Sequence, residues 1–313
     1  MPRTRTTAVR TALALVAVVG LTACSDGGSD QDAAVASGDP EACPGDIVDV
    51  VVSVGQWGDV VRSVGGDCAN VTTIVASGAV DPHDFEPSTA DLAAFSDADL
   101  VVVNGADYDH WASDAVESQD PAPAVLSVAT LVDAPEGGDP HLWYEPEAVH
   151  ALAPALADEL AELSPDAAAY FEEQSAAWQA DLRRYIDAVL ALGSTVSGRT
   201  YAATETVFDR MAAALGLVDA TPEGYRRTAS NDSEPAPGDL AEFEAALSDG
   251  SIDVLIYNAQ TSGSVPEQLR AAAEAAGVPV VEVTESPADP DGSFVAWQLE
   301  QFSALSDALG GTP

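Results

Sequence analysis

Short runs of β-branched residues, separated by alanine-rich stretches of helical period, restrict this chain to an α/β fold. In the first half the runs fall at 47–54, 71–76, 100–104 and 125–128. In the second half they fall at 200–203, 254–258 and 278–283, with a weaker candidate at 226–229. Strands that alternate with helices build βαβ units and hence parallel sheets. Two such sets predict two lobes, each with a mostly parallel four-stranded sheet.

Between the sets lies a long helical stretch, 165–192. Ser164 stands where a cap is needed, Pro165 suits a first turn, and Gly193 is placed to end the helix. Tyr170, Phe171, Trp178, Leu182, Tyr185, Ile186 and Val189 keep the helical period. At 1.5 Å per residue this is a rod of about 42 Å, a stiff connector rather than a flexible hinge. The expected layout is an N-terminal α/β lobe at 44–164, a connecting helix at 165–193 and a C-terminal α/β lobe at 194–313. A shorter helix is expected from Ser264, with Glu267 at the capping-box position.

The N-terminus reads differently. Arg3, Arg5 and Arg10 precede an 11-residue apolar run ending at Leu21, too short to cross a bilayer as a helix but suited to the core of a signal peptide. It continues into Leu21-Thr22-Ala23-Cys24, which resembles a bacterial lipobox whose cysteine is lipidated. The alternative is an ordinary signal peptide with an incidental cysteine. On the lipobox reading, 1–23 is a lipoprotein signal peptide and 24–43 a flexible polar tether. The protein is then exported and lipid-anchored, touches the membrane only through the lipid at Cys24, and is expected to be a monomer.

Charge narrows the partners. The chain has 52 acidic residues against 11 arginines and no lysine, a formal net charge of −41. Three of those arginines precede Cys24, so processing leaves it more acidic still. Such a surface repels nucleic acid and anionic lipid. It attracts cations diffusely but confers no specificity.

With Cys24 assigned to the lipid, Cys43 and Cys68 remain. Each precedes a predicted strand, and if those strands are parallel neighbours the two thiols lie at one edge of the sheet and can form a disulfide. The other reading is a pair of free structural thiols.

The chain has four histidines, and two of them occupy near-duplicate settings: Asp81-Pro82-His83-Asp84-Phe85-Glu86-Pro87 and Asp139-Pro140-His141-Leu142-Trp143-Tyr144-Glu145-Pro146. Proline fixes its own φ and pushes the preceding residue toward an extended shape, so each imidazole is presented from a stiffened loop with an aromatic residue two positions on. His110 and His150 lack that context and read as surface or helix-face residues.

These motifs resemble those of the zinc- and manganese-binding solute receptors of metal ABC importers, and the resemblance covers nearly the whole chain after Cys24. In that family a first histidine lies in D-P-H-x-[YF]-E-P, matched by His83, and a second in D-P-H-x-W, matched by His141. A third ligand follows the first strand of the second lobe, where Glu205 stands in Tyr201-Ala202-Ala203-Thr204-Glu205. A fourth, usually Asp, follows the last strand, where this chain has Glu285, one methylene longer. The resemblance therefore implies an extracytoplasmic receptor that captures one Zn2+ or Mn2+ ion between two lobes and delivers it to an ABC importer's membrane permease. Its expected metal ligands are His83, His141, Glu205 and Glu285. Asp109, where relatives often have Glu, and Asn258, at the end of a predicted strand, are candidates for supporting those ligands, with a helix-cap or turn role as the alternative for each. The histidine-rich loop of many zinc members is absent.

The chemistry agrees. Glu205 and Glu285 both follow strand-like runs, where α/β sheets place binding residues. Two neutral imidazoles and two carboxylates cancel the charge of a divalent ion, so the filled site can be buried. Nitrogen and oxygen donors suit zinc or manganese; paired carboxylates favour the higher coordination numbers of manganese, while the Irving–Williams order favours zinc. Affinity should fall below about pH 6.5 as protons compete for imidazole. A metallohydrolase would need an open coordination position and a base, and no H-E-x-x-H or G-x-S-x-G pattern is present, so no enzymatic activity is expected. A haem or siderophore receptor of the same shape, or an adhesin-like metal-binding surface lipoprotein, are the remaining alternatives.

Overall fold

The computed structural model describes residues 33–76, 78, 85–230, 233–261 and 263–310. His83 with its Asp-Pro-His loop, and Cys24 with the signal segment, lie outside the described residues. The first half begins with β1 (Ala34–Ala36), β2 (Val48–Val54), α1 (Gly58–Gly65) and β3 (Ala69–Val75). It continues with α2 (Thr89–Asp97), β4 (Leu100–Val103), α3 (His110–Glu117), β5 (Ala124–Ser127), the short α4 (Val128–Leu131) and α5 (Pro146–Leu163). Its sheet has the order β1-β3-β2-β4-β5, parallel throughout except where β1 runs antiparallel to β3.

Valine explains the centre of this sheet. Val50, Val51, Val52 and Val54 of β2 point to both faces and all are buried, as a parallel sheet covered on both sides requires. Their branched side chains have little rotamer freedom to lose on burial.

Strand β1 was not expected. It lies within the segment read as a flexible tether, and Val35 is 67% exposed. What holds it is mostly backbone hydrogen bonding: β1 pairs with the edge of β3, and just beyond it Gly38 N donates to the Asn70 side-chain Oδ1 at 3.0 Å and Asp39 N to Asp67 O at 2.9 Å. Hydrophobicity patterns carry no trace of such pairing. The first sheet therefore has five strands rather than four. Cys43 and Cys68 are joined by a disulfide, next to the parallel pair β2 and β3.

The long helix α6 (Ala168–Val196) follows a 3-10 turn, Pro165–Ala167. Its 29 residues make a rod of about 43 Å. It packs against α1 and α5 of the first half and against α11 (Phe294–Leu309) and α7 (Asp209–Leu215) of the second. Two details depart from the sequence reading. Ser164 forms no side-chain cap; its N–H donates to Leu160 O at 2.8 Å and closes α5 instead. Gly193 does not end α6, which runs on to Val196. Burial of Leu192 and Val196 outweighs the roughly 1 kcal/mol that an interior glycine costs a helix.

The second half contains β6 (Thr200–Ala203), α7, β7 (Val218–Asp219), α8 (Glu223–Ala229) and α9 (Pro237–Asp249). Then come β8 (Val254–Asn258), α10 (Ser264–Ala276), β9 (Val280–Val283) and α11. The sheet order is β7-β6-β8-β9, all parallel. The candidate strand at 226–229 is part of α8: Glu223 in its first turn and Arg226 and Arg227 in its last suit the helix dipole. The fourth strand is β7. Ser264 is the first residue of α10 rather than its cap, and no capping box forms there. One does form at α2, where Ser88 and Asp91 bond reciprocally. Among the described residues no helix is long and apolar enough to cross a membrane.

Candidate metal centre

The chemistry-bearing side chains gather on loops at the carboxyl ends of strands, where α/β sheets expose converging backbone termini. In the first lobe the loop after β4 turns sharply through Gly105, Ala106 and Asp107, all at positive φ. Asp109 buckles this turn: its carboxylate accepts from Asn104 N at 2.7 Å, Gly105 N at 2.9 Å and the Ser53 hydroxyl. Burial pushes its carboxyl above the ordinary range, against those three bonds. Asn104 in turn donates to Pro140 O at 2.9 Å, tying the β4 loop to the loop that carries His141.

His141 is buried, 7% exposed. Its Nδ1 stands 2.6 Å from Asp139 Oδ1, which also accepts from the His141 N–H at 3.1 Å. A carboxylate on Nδ1 fixes the ring and leaves Nε2 as the nitrogen able to meet a cation. Trp143 packs edge-on to the imidazole, with centroids 5.3 Å apart. Asp139 is half-buried, which raises its carboxyl, but the bond to His141 and the nearby Arg210 guanidinium more than offset this and hold it below the usual value. His110 and His150 are exposed on α3 and α5.

In the second lobe Glu205 follows β6, and Asn258 ends β8. The Asn258 side-chain amide donates to Glu205 Oε2 at 2.6 Å and to Glu285 Oε1 at 2.9 Å, so one amide group draws the two carboxylates together. Glu285 lies just past β9 on a loop that Gln260 holds by accepting from Glu285 N at 2.7 Å and Ser286 N at 3.0 Å. Burial raises the Glu205 carboxyl. The hydrogen bonds from Thr261 and Asn258 oppose that rise, the charge of Glu285 adds to it, and His141 lowers it. Glu205 thus stands within electrostatic reach of both His141 and Glu285.

The lobes meet here directly. Tyr108, fully buried, donates to Glu285 Oε2 at 3.1 Å and accepts from Gln56 Nε2 at 3.1 Å. The Tyr144 hydroxyl lies 2.8 Å from Thr284 O and 2.6 Å from Gln301 Oε1. Among the described residues no three His, Cys, Asp or Glu side chains close around a common point as a metal shell. His83, the remaining expected ligand, is not among them.

Sequence reasoning missed Asp139, Arg210, Tyr108 and Gln260. Asp139 was visible, because aspartate stands two residues before histidine in both near-duplicate motifs. The others are reached only through tertiary contacts.

Helix-bridged paired α/β sheets with polar side chains at their facing strand ends define a two-lobed binding protein. The structure resembles the periplasmic zinc-binding protein TroA from Treponema pallidum, with a TM-score of 0.70 at 20% identity over 84% of this chain and 99% of that one. It also resembles the crystal structure of ZnuA, with a TM-score of 0.67 at 24% identity over 84% and 98% of the two chains. Residues 50–308 match the family described as zinc-uptake complex component A, periplasmic, and the chain belongs to it. In sequence it is 33% identical over 144 residues to the manganese-binding lipoprotein MntA of Halalkalibacterium halodurans, 44% of this chain and 47% of that protein. It is 24% identical over 244 residues to the high-affinity zinc uptake system protein ZnuA of Bacillus subtilis, 72% and 75% of the two chains. The match thus spans about half the length of the MntA relative and three quarters of the ZnuA relative.

Proposed function

We propose that this chain is an exported receptor that captures one Zn2+ or Mn2+ ion between its lobes and passes it to the membrane permease of an ABC importer. His83 and His141 from the first lobe and Glu205 and Glu285 from the second are the proposed ligands, and a lipid on Cys24 the proposed anchor. The observation that carries the reading is the Asn258 amide holding Glu205 and Glu285 side by side, within electrostatic reach of a buried histidine. Two like charges brought together below the surface cost free energy unless a cation joins them.

The family and the names of the relatives support transport rather than catalysis. Four protein ligands also leave no open position for a reactive water. Nitrogen and oxygen donors without thiolate fit zinc and manganese alike. Elemental analysis of protein purified without chelator, followed by zinc and manganese competition, tests the proposal. About one equivalent of either metal is expected. Protein that takes up neither, or binds haem in preference, would refute it.

A further inference from the structure

We propose that Arg210 is a positioning residue that locks the His141 loop onto the element carrying Glu205, so that these two ligands meet the ion as a preset pair. The inference rests on the metal-receptor reading above. Arg210 lies in α7, five residues after Glu205, and only the 3-10 turn Thr206–Phe208 separates Glu205 from that helix. Its Nε and Nη2 both donate to the backbone carbonyl of Asp139, Nε at 3.0 Å. Nε also lies 3.6 Å from Asp139 Oδ2, and Nη1 pairs with the Glu145 carboxylate. The Arg210 side chain is only 18% exposed.

Through Asp139 this grip reaches the imidazole. The same aspartate whose carbonyl receives the guanidinium holds both the N–H and the Nδ1 of His141. A continuous set of hydrogen bonds therefore runs from the second lobe to the first lobe's histidine, over a separation of 71 residues in sequence between Asp139 and Arg210. A planar guanidinium fixes two directions at once, which a lysine ammonium does not. The direction of Nε2 follows from the ring orientation that Asp139 sets. The rival role is a plain brace between α7 and the start of α5 through Glu145.

The test is the zinc affinity of the full chain, measured by competition against a chromogenic chelator, with urea midpoints of the metal-free proteins as a folding control. Arg210→Met and Asp139→Asn should each weaken zinc binding by roughly 10–100-fold. The double variant should be no weaker than the weaker single one, because both changes cut one path. Glu145→Gln should stay within about twofold of the parent. Arg210→Lys, which keeps the charge and should keep the fold, is expected to remain about tenfold weakened for want of the fork. The positioning role is overturned if the single losses multiply in the double variant, if Glu145→Gln reproduces the loss, or if lysine restores full affinity. A parent protein that binds no zinc or manganese would instead overturn the metal-receptor reading on which it rests.

Discussion

Tyr108 donates its phenolic hydrogen to the Glu285 carboxylate 3.1 Å away, joining residues 177 positions apart and one lobe to the other. The bond uses one Glu285 oxygen, while Asn258 uses the other. Both carboxylate oxygens are thus oriented before any cation arrives, which lowers the entropy lost on binding.

Tyr108→Phe should therefore weaken zinc affinity about tenfold. It also leaves the buried Gln56 amide without its acceptor, so the urea midpoint should fall by the equivalent of about 1–2 kcal/mol. Unchanged affinity in a folded variant would show that Glu285 needs no help from the opposite lobe.

Asn258→Leu replaces the shared amide with a side chain of similar size. Glu205 and Glu285 lose their common donor and Gln260 N loses the Asn258 Oδ1 that it bonds at 3.0 Å. Affinity should fall by ten-fold or more, and metal-free stability by about 2 kcal/mol. Calorimetric titration with zinc and urea unfolding measure the two effects separately.

Glu205→Gln should trade function for stability. Burial raises the Glu205 carboxyl above its unfolded value of 4.5, so the ionised group subtracts stability wherever the unfolded chain is ionised. The variant should be more resistant to urea than the parent at pH 7 without metal, and this advantage should vanish below pH 4.5, where both states of the parent are protonated. Asp139 has the opposite sign. Its carboxyl is lowered from 3.8, so its contribution is present above that value and lost only as the pH falls below it. Metal binding by Glu205→Gln should be nearly abolished. A parent more stable than the variant at pH 7 would contradict the assignment of Glu205 as a strained, cation-seeking carboxylate.

Removing the disulfide with Cys43→Ala and Cys68→Ala opens a loop of sequence separation 25. Loop-closure entropy predicts a loss of about 3.5 kcal/mol. Zinc affinity at 25 °C should be nearly unchanged, since the bridge joins the β2 and β3 entrances rather than the carboxyl-end loops. Urea unfolding with and without reductant checks both statements.

How much of this was legible in the sequence follows from the range of the forces involved. Valine-rich strands such as β2 and β4 announce themselves because burial on both faces demands apolar side chains. Of the nine strands among the described residues, seven were placed within a few residues. β1 was invisible because backbone pairing does most of the holding and only Ala36 of its three residues packs on the core, and α8 was misread because its capping charges were outweighed in the reading by a weak strand pattern. At the site, the duplicated Asp-Pro-His loops drew attention to His141, yet the stiffness was credited to proline when Asp139 does much of the holding. Arg210 and Tyr108 act on partners 71 and 177 residues away. No local pattern encodes such distances.

The most direct test is an anomalous-scattering map from crystals grown with one equivalent of zinc. A single strong peak is expected between the lobes, at about 2.0–2.2 Å from His83, His141, Glu205 and Glu285. A peak bound elsewhere on the acidic surface, or no ordered peak at all, would contradict it.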